Sequence, residues 1–448
     1  MKKIIITSVL LGIFSKIILI LNVIIISKNT SIDIYGEYEL LLTTIIVLFP
    51  LMTGGVIDAV FRFCYRKQKK AQRIIFSRLF FNGSLIFIIL TPIVYYTSQL
   101  YFNNYVSTLL VINIYLNFLI ELIKQLEKAN EKILSMTLIE FFKNIITLAL
   151  YYFYILKYKT INLEEIISIL SIATTACFII LFFKYRIYSY IIFNKKLIFF
   201  KKSEISYSLF LMPNTILWWV INTSDKFMLG IFSGITSVAI YSIATKFPSL
   251  LTALNRIFLQ IWHILIMRNN STSIWSINYI SLYLCVLFSI PIINYIFPYI
   301  FDSRYVDSLI YIPFLIIGAF YSIISSLLGG VFIKNKHAKY AFYSTLLAAV
   351  INLIGNLILI PIYNIWGCII STLISLLVLH CTRIYFINKS SDENISIIKN
   401  IPLNLLLISY PILFNEISNK YRLILLPLVY LITLSLFILY LKKKNHVI

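Results

Sequence analysis

Charge is scarce in this sequence. Only 12% of its 448 residues are Asp, Glu, Lys or Arg, about half the share found in water-soluble chains. Carboxylates are scarcer still, with 17 Asp and Glu against 39 Lys and Arg. A surface bathed by water cannot be covered from that supply, which excludes a soluble catalytic domain. Cysteine is also sparse. Cys64, Cys177, Cys285, Cys368 and Cys381 are odd in number, far apart, and lie in or beside apolar stretches. That pattern excludes a disulfide framework and a Cys-x-x-Cys redox or metal site, and reads as apolar filler. The histidines, His263, His337, His380 and His446, are too scattered to propose a metal cluster. No phosphate-cradling glycine loop and no nucleophile–base spacing occurs, so hydrolysis of ATP within the chain is excluded and no cofactor is expected.

Apolar length is abundant. Hydrophobic residues make up 60% of the chain, mean hydropathy is +0.91, and apolar runs follow one another from end to end. Each run has the roughly 20 residues that a helix needs to cross about 30 Å of hydrocarbon. They predict an all-α, polytopic membrane protein with spans at 4–27, 40–61, 79–98, 106–123, 134–156, 163–183, 205–222, 236–262, 277–299, 309–333, 341–362, 367–387, 401–415 and 423–441. The opening Met1-Lys2-Lys3 imitates a secretory signal, but its apolar stretch is long, contains Lys16 and has no small-residue cleavage site, so it reads as a retained first helix.

The net charge of +22 would point to nucleic acid on a soluble chain. Here the basic clusters, such as 62–78, 184–202 and 442–444, fall on alternate connections. By the positive-inside rule this places both termini in the cytoplasm and makes nucleic acid an unexpected partner.

The connection 184–204 mixes Tyr and Phe with Lys and reads as an amphipathic cytoplasmic linker lying on the membrane. It divides a six-helix lobe, 1–183, from a second, 205–387. Residues 388–448 then hold two extra helices and a basic tail, for fourteen helices in all, with twelve as the alternative. A weak internal echo supports pseudo-symmetric lobes: Asp33 to Tyr38 enters the second span much as Thr236 to Tyr241 enters the eighth. Pro50, Gly54-Gly55, Pro248 and Gly329-Gly330 punctuate spans, as hinges or as close-packing points.

A charge at the centre of a membrane helix costs about 2.5–3.5 kcal/mol on insertion scales, so such residues need a wet cavity, a partner or an escape to the interface. Lys16, Lys143, Lys246 and Arg256 lie within spans, and Lys16, Lys246 and Arg256 have no carboxylate within one helical turn. Several such cations together suggest a cavity for an anion. Glu140, Lys143 and Asn144 share one face of the fifth span. Asp58 and Arg62, four apart on the second, have the spacing of a local ion pair. Asn352 and Asn356 share a face of the eleventh, where glue between helices is the expected role.

The seventh span adds a motif: Pro213, then Asn222, Asp225-Lys226 and Gly230, followed by Tyr241-Ser242 and Lys246. With Tyr35-Gly36-Glu37-Tyr38, and with Asn352, Asn356, Pro361 and Gly367, it resembles the O-antigen and capsular polysaccharide flippases over about residues 1–390. Asn364 stands where that pattern has a glycine and Cys368 where it has an alanine.

The resemblance implies the multidrug, oligosaccharidyl-lipid and polysaccharide exporter superfamily, with two six-helix lobes working by alternating access. The implied substrate is an undecaprenyl-pyrophosphate-linked oligosaccharide, crossing a bacterial inner membrane. Lys16, Lys143, Lys246 and Arg256 are expected to form the cationic cavity, and Asn222, Asp225 and Lys226 to stand at its outer mouth. Glu140 or Asp58 is the candidate for coupling to a proton or sodium gradient. Expected partners are the lipid-linked oligosaccharide and membrane lipids, with a polysaccharide polymerase and a chain-length regulator of the same pathway. The competing expectations are a multidrug antiporter of the same fold and a membrane polymerase, for which Asp302 to Asp307 is the best active-site loop.

Overall fold

The computed structural model describes residues 2–65, 67–192, 201–268, 273–335, 337–390, 407, 409–416 and 426–432. Within them the chain is helical throughout. The helices are α1 (Lys2–Asn29), α2 (Ile32–Met52), α3 (Val56–Cys64), α4 (Lys69–Ser98), α5 (Asn104–Ala129), α6 (Ile133–Tyr158), α7 (Leu163–Lys184), α8 (Lys202–Phe232), α9 (Ile235–Arg268), α10 (Ser273–Ile300), α11 (Ile312–Lys334), α12 (Ala338–Tyr363) and α13 (Ile365–Ser390). Eleven are long and apolar enough to cross a membrane, and Ile88, Tyr96, Ile179 and Ile358 are among many large apolar side chains turned outward. Such faces belong to a multi-pass membrane protein whose outer solvent is lipid. Short helical stretches occupy 409–416 and 426–432; the rest of the two extra C-terminal helices, and residues 193–200 of the expected linker, lie outside the described residues.

The second expected span differs from its sequence boundaries in two ways. It begins eight residues earlier, because the Ser31 hydroxyl caps the Ile34 amide and the polar first turns pack inward. Tyr35 is fully buried, and its hydroxyl donates to Glu39 at 2.7 Å. The span then breaks in two. Gly54 and Gly55 take φ of +58° and +65°, a left-handed conformation that side chains resist. A Cβ on Gly55 would also lie 2.9 Å from the carbonyl oxygen of Ser208. The pair therefore marks a chain break and a close backbone approach.

The chain divides into two compact units, Met1–Trp219 and Val220–Ile448. In the first, α5 packs against α3 and α7, and α1 against α6. The core joins Val60, Phe76, Phe118, Leu122, Ile123 and Leu181. Tyr190, beyond the short 3-10 turn Ile187–Ser189, accepts from the Ser77 hydroxyl at 2.7 Å, which ties the start of the linker to α4. In the second unit α12 packs against α13, and α11 against α9 and α13. Arg383, 4% exposed, donates to the Ser325 carbonyl oxygen and to the hydroxyls of Ser344 and Thr345. Gly329 makes room for it, since a Cβ there would sit 3.2 Å from the Arg383 guanidinium.

The first half of α8 belongs with the first unit, and a sealed ion pair holds it there. Arg78 of α4 donates to both oxygens of Glu204 at 2.9 and 2.8 Å, with side chains 9% and 3% exposed. Breaking a buried pair from one side leaves an uncompensated charge, typically at a cost of about 3–5 kcal/mol, whereas apolar residues in both places cost far less. Glu204→Ala is expected to lower the thermal unfolding midpoint of the purified protein in detergent sharply. The double variant Arg78→Met/Glu204→Met should recover most of that loss; additive losses would mean that the pair is not a unit.

Candidate functional site

In the first unit three helices bring polar residues to one place. On α5, Asn113, Asn117, Glu121 and Lys124 recur at helical spacing, so they form a stripe on an otherwise apolar helix. On α6, Glu140, Lys143, Asn144 and Thr147 do the same. Lys16 of α1 donates to Glu140 at 2.6 Å. Lys143 donates to the Asn117 side-chain oxygen, and Lys124 pairs with Glu121 at 2.6 Å. Asn144 donates to the carbonyl oxygen and hydroxyl of Ser15 at 3.1 and 3.0 Å. The stripe continues through Asn113, fully buried, which donates to Ser171 at 2.5 Å and accepts from Thr174 at 3.1 Å.

Three lysines and two glutamates therefore meet in a region of bilayer-length helices. Glu140 carries the charge interactions of Lys16, Lys124 and Lys143 together. The Lys16–Glu140 pair is open, with side chains 29% and 38% exposed. Lys16, which has no carboxylate within a turn of its own helix, thus finds one on another, 124 residues away in sequence. Asn117, Glu121 and Lys124 were missed by sequence reasoning, although the four-residue spacing of polar groups on α5 was available as a signal.

Asp58 and Arg62 do not pair among the described residues. Asp58 is exposed on α3 and interacts instead with the charges of Lys128 and Glu121 of α5. The four-residue spacing allows the pair, and the fold instead sets Asp58 among charges of α5.

In the second unit the motif residues build a different object. Asp225 of α8 is 1% exposed and accepts from the Tyr241 hydroxyl of α9. Thr372 of α13 bonds Tyr241 in turn and accepts from Asn352 of α12 at 3.2 Å. Asn356 donates to Asn352 at 3.2 Å and accepts from Ser371. The second carboxylate oxygen of Asp225 makes no well-aligned hydrogen bond among the described residues, although the amides of Asp225 and Lys226 and the Lys226 charge act on the carboxylate. A buried carboxylate with one open oxygen can hold a proton or complete the ligands of a small cation. Lys226 is 9% exposed and Asn222 exposed. Lys246 lies half-buried on α9; Arg256 is on the same helix, and its side chain lies outside the described residues.

No group of three His, Cys, Asp or Glu poised for a metal occurs among the described residues. The expected polymerase loop is structurally engaged: Asp302 caps a 3-10 turn by accepting from the Arg304 amide at 3.0 Å and its guanidinium at 3.0 Å. Those bonds hold its carboxyl below the usual carboxylate range.

The sequence matches no protein-family model and no curated protein sequence. Its fold, however, is found among solved structures. It is similar to the lipid II flippase MurJ in an inward-closed conformation, with a TM-score of 0.68, 17% identity, and coverage of 98% of this chain and 99% of that one. It is also similar to an inward-facing multidrug resistance MATE family transporter of the MOP superfamily, with a TM-score of 0.63, 10% identity, and coverage of 84% and 95%. A third similarity is to a MOP superfamily transporter from Pyrococcus furiosus, described as having a binding pocket of reversed polarity, with a TM-score of 0.53, 12% identity, and coverage of 86% and 96%. This chain shares its fold with these solved proteins over 84–98% of its length.

Tyr241→Phe removes the hydroxyl that Asp225 accepts from and leaves a buried carboxylate poorly satisfied, at a cost of about 1–3 kcal/mol. The expected outcome is a lower thermal midpoint in detergent. Asp225→Asn/Tyr241→Phe should lose less than the sum of the single changes, because the two side chains act on one another.

Proposed function

We propose that the chain is a flippase that moves an undecaprenyl-pyrophosphate-linked oligosaccharide, an O-antigen or capsule repeat unit, across the bacterial inner membrane by alternating access. The observation that carries this reading is the cluster of Lys16, Lys124 and Lys143 within bilayer-length helices. A diphosphate cannot enter hydrocarbon without compensating cations, and this cluster gathers lysines inside the membrane-length helices at a cost that partners and a wet cavity must offset. Lys246 and Arg256 are assigned to the same cationic task on the second unit. Moving a lipid-linked sugar breaks no covalent bond, so a chain of helices and short connections suffices. The distribution of Lys and Arg supports a cytoplasmic side for both termini. A polymerase and a chain-length regulator are the partners this role implies.

The fold shared with MATE transporters keeps a second reading open, a multidrug antiporter. Cationic drugs favour an anionic interior, and the excess of lysine over carboxylate in the first-unit cluster favours the flippase instead. For coupling to an ion gradient, Asp58 lies exposed and Glu140 is held by Lys16, which leaves Asp225, buried with one open oxygen, as the better-placed carboxylate.

Deletion of the gene in its host is expected to accumulate full-length lipid-linked units in the inner leaflet and to abolish surface polymer. Complementation with Lys16→Ala or Lys143→Ala, at normal protein level, should restore at least tenfold less surface polymer than the wild type. Normal surface polymer with altered drug sensitivity would move the chain to the antiporter reading. Single repeats stranded in the outer leaflet would favour a polymerase.

A further inference from the structure

Among the described residues of the first unit, Arg78–Glu204 and Lys16–Glu140 each join two helices, and they are built differently. Arg78–Glu204 is bidentate and sealed, with side chains 9% and 3% exposed. Lys16–Glu140 is held by a single contact of 2.6 Å with side chains 29% and 38% exposed. A pair whose task is to tie helices gains from the first construction, since planar fork geometry and exclusion of water both strengthen it. The second leaves the carboxylate reachable.

Its surroundings are also more than a pair requires. Lys16, Lys124 and Lys143, from three helices, all act on Glu140, and Asn117 orients Lys143. Glu140 thus stands among three ammonium groups, of which Lys124 is also paired with Glu121 at 2.6 Å, an arrangement whose net positive charge a phosphate group could occupy.

We propose that Glu140 is an exchangeable counter-ion that fills the anion seat while it is empty and is displaced by the diphosphate of the arriving substrate. Lys16, Lys124 and Lys143, with Asn117, then close on the phosphate, and Glu140 returns as the substrate leaves. The identity of the substrate rests on the flippase reading; the seat does not. The exchange also explains why a carboxylate is kept beside a site for anions. Without it, unpaired ammonium groups would stand in the membrane between cycles, and release would have no competitor to drive it. Because the empty seat is occupied by its own carboxylate, apparent affinity is reduced by the fraction of time the pair is closed.

The test uses the purified full-length chain in detergent, titrated with inorganic pyrophosphate by calorimetry. Glu140→Gln, which keeps the shape but removes the charge, is expected to bind about tenfold more tightly than the wild type. Lys16→Ala is expected to bind at least tenfold more weakly, and Glu140→Gln/Lys16→Ala should fall back toward Lys16→Ala. Glu140→Asp, with its charge intact and its reach shortened, should give an intermediate gain, independent of how the Gln variant folds. Equal or weaker binding by both Glu140 variants overturns the exchange, as does absence of pyrophosphate binding in every variant. Full suppression of binding by phosphatidylglycerol in the micelle overturns the diphosphate assignment in favour of an ordinary phospholipid headgroup.

In proteoliposomes, Glu140→Gln should translocate a lipid-linked oligosaccharide more slowly despite its tighter binding. Translocation by the wild type without tighter pyrophosphate binding by Glu140→Gln would sink the exchange and leave the flippase standing. Tighter binding without any translocation by the wild type would leave the seat standing and sink the flippase.

Discussion

An ammonium group halfway along an apolar helix is tolerable only when another helix brings charge or dipoles to it, and the architecture of the first unit follows from that requirement. Lys16 obliges α1 to meet the Glu140 face of α6, and α1 and α6 are packed together along their length. Lys143 in turn obliges α6 to face Asn117 of α5. Asn113, Ser171 and Thr174 continue the same line to α7. In lipid there is no hydrophobic force to bring helices together, so polar contacts of this kind, with close packing, decide which helices are neighbours.

The second unit solves the same problem with few charges. Its polar interior is mostly amide and hydroxyl: Asn352, Asn356, Ser371, Thr372 and Tyr241, with Asp225 as the one carboxylate of that chain of bonds. Arg383 is met by two hydroxyls and a carbonyl oxygen, and Gly329 clears the space for its guanidinium. The two units share a helical class and differ in what their interiors hold. Among the described residues the lysine cluster lies in the first unit, so it does not follow from the basic composition of the whole chain alone.

Apolar length made most of the helices legible: 163–183 against Leu163–Lys184 and 367–387 against Ile365–Ser390. Where polar residues pack inward, length misleads. Asp33, Glu37 and Glu39 shorten the apolar run of α2 at its start, yet Ser31 caps it and Tyr35 buries against Glu39. Among candidate site residues, Lys16, Glu140 and Lys143 were visible because charges inside apolar runs are costly. Their mutual geometry was not, since a contact between residues 16 and 140 leaves no periodic trace. The Asp58–Arg62 pair shows the converse, a spacing that permits a contact the fold does not use. Glu204 was hidden in a basic, polar stretch where only the partner across the helices, Arg78, reveals its use.

The described ammonium groups of the first-unit cluster all belong to lysines, with amides beside them and no guanidinium among them. An ammonium is a compact point charge on a pliant stem, and it attracts a phosphate without dictating how its oxygens are oriented. A guanidinium fork would impose a plane and a register on whatever it held. As the proposed anion seat, such a set of lysines reads the presence of charge and is indifferent to its shape, which suits chemically varied cargo bearing one anionic handle.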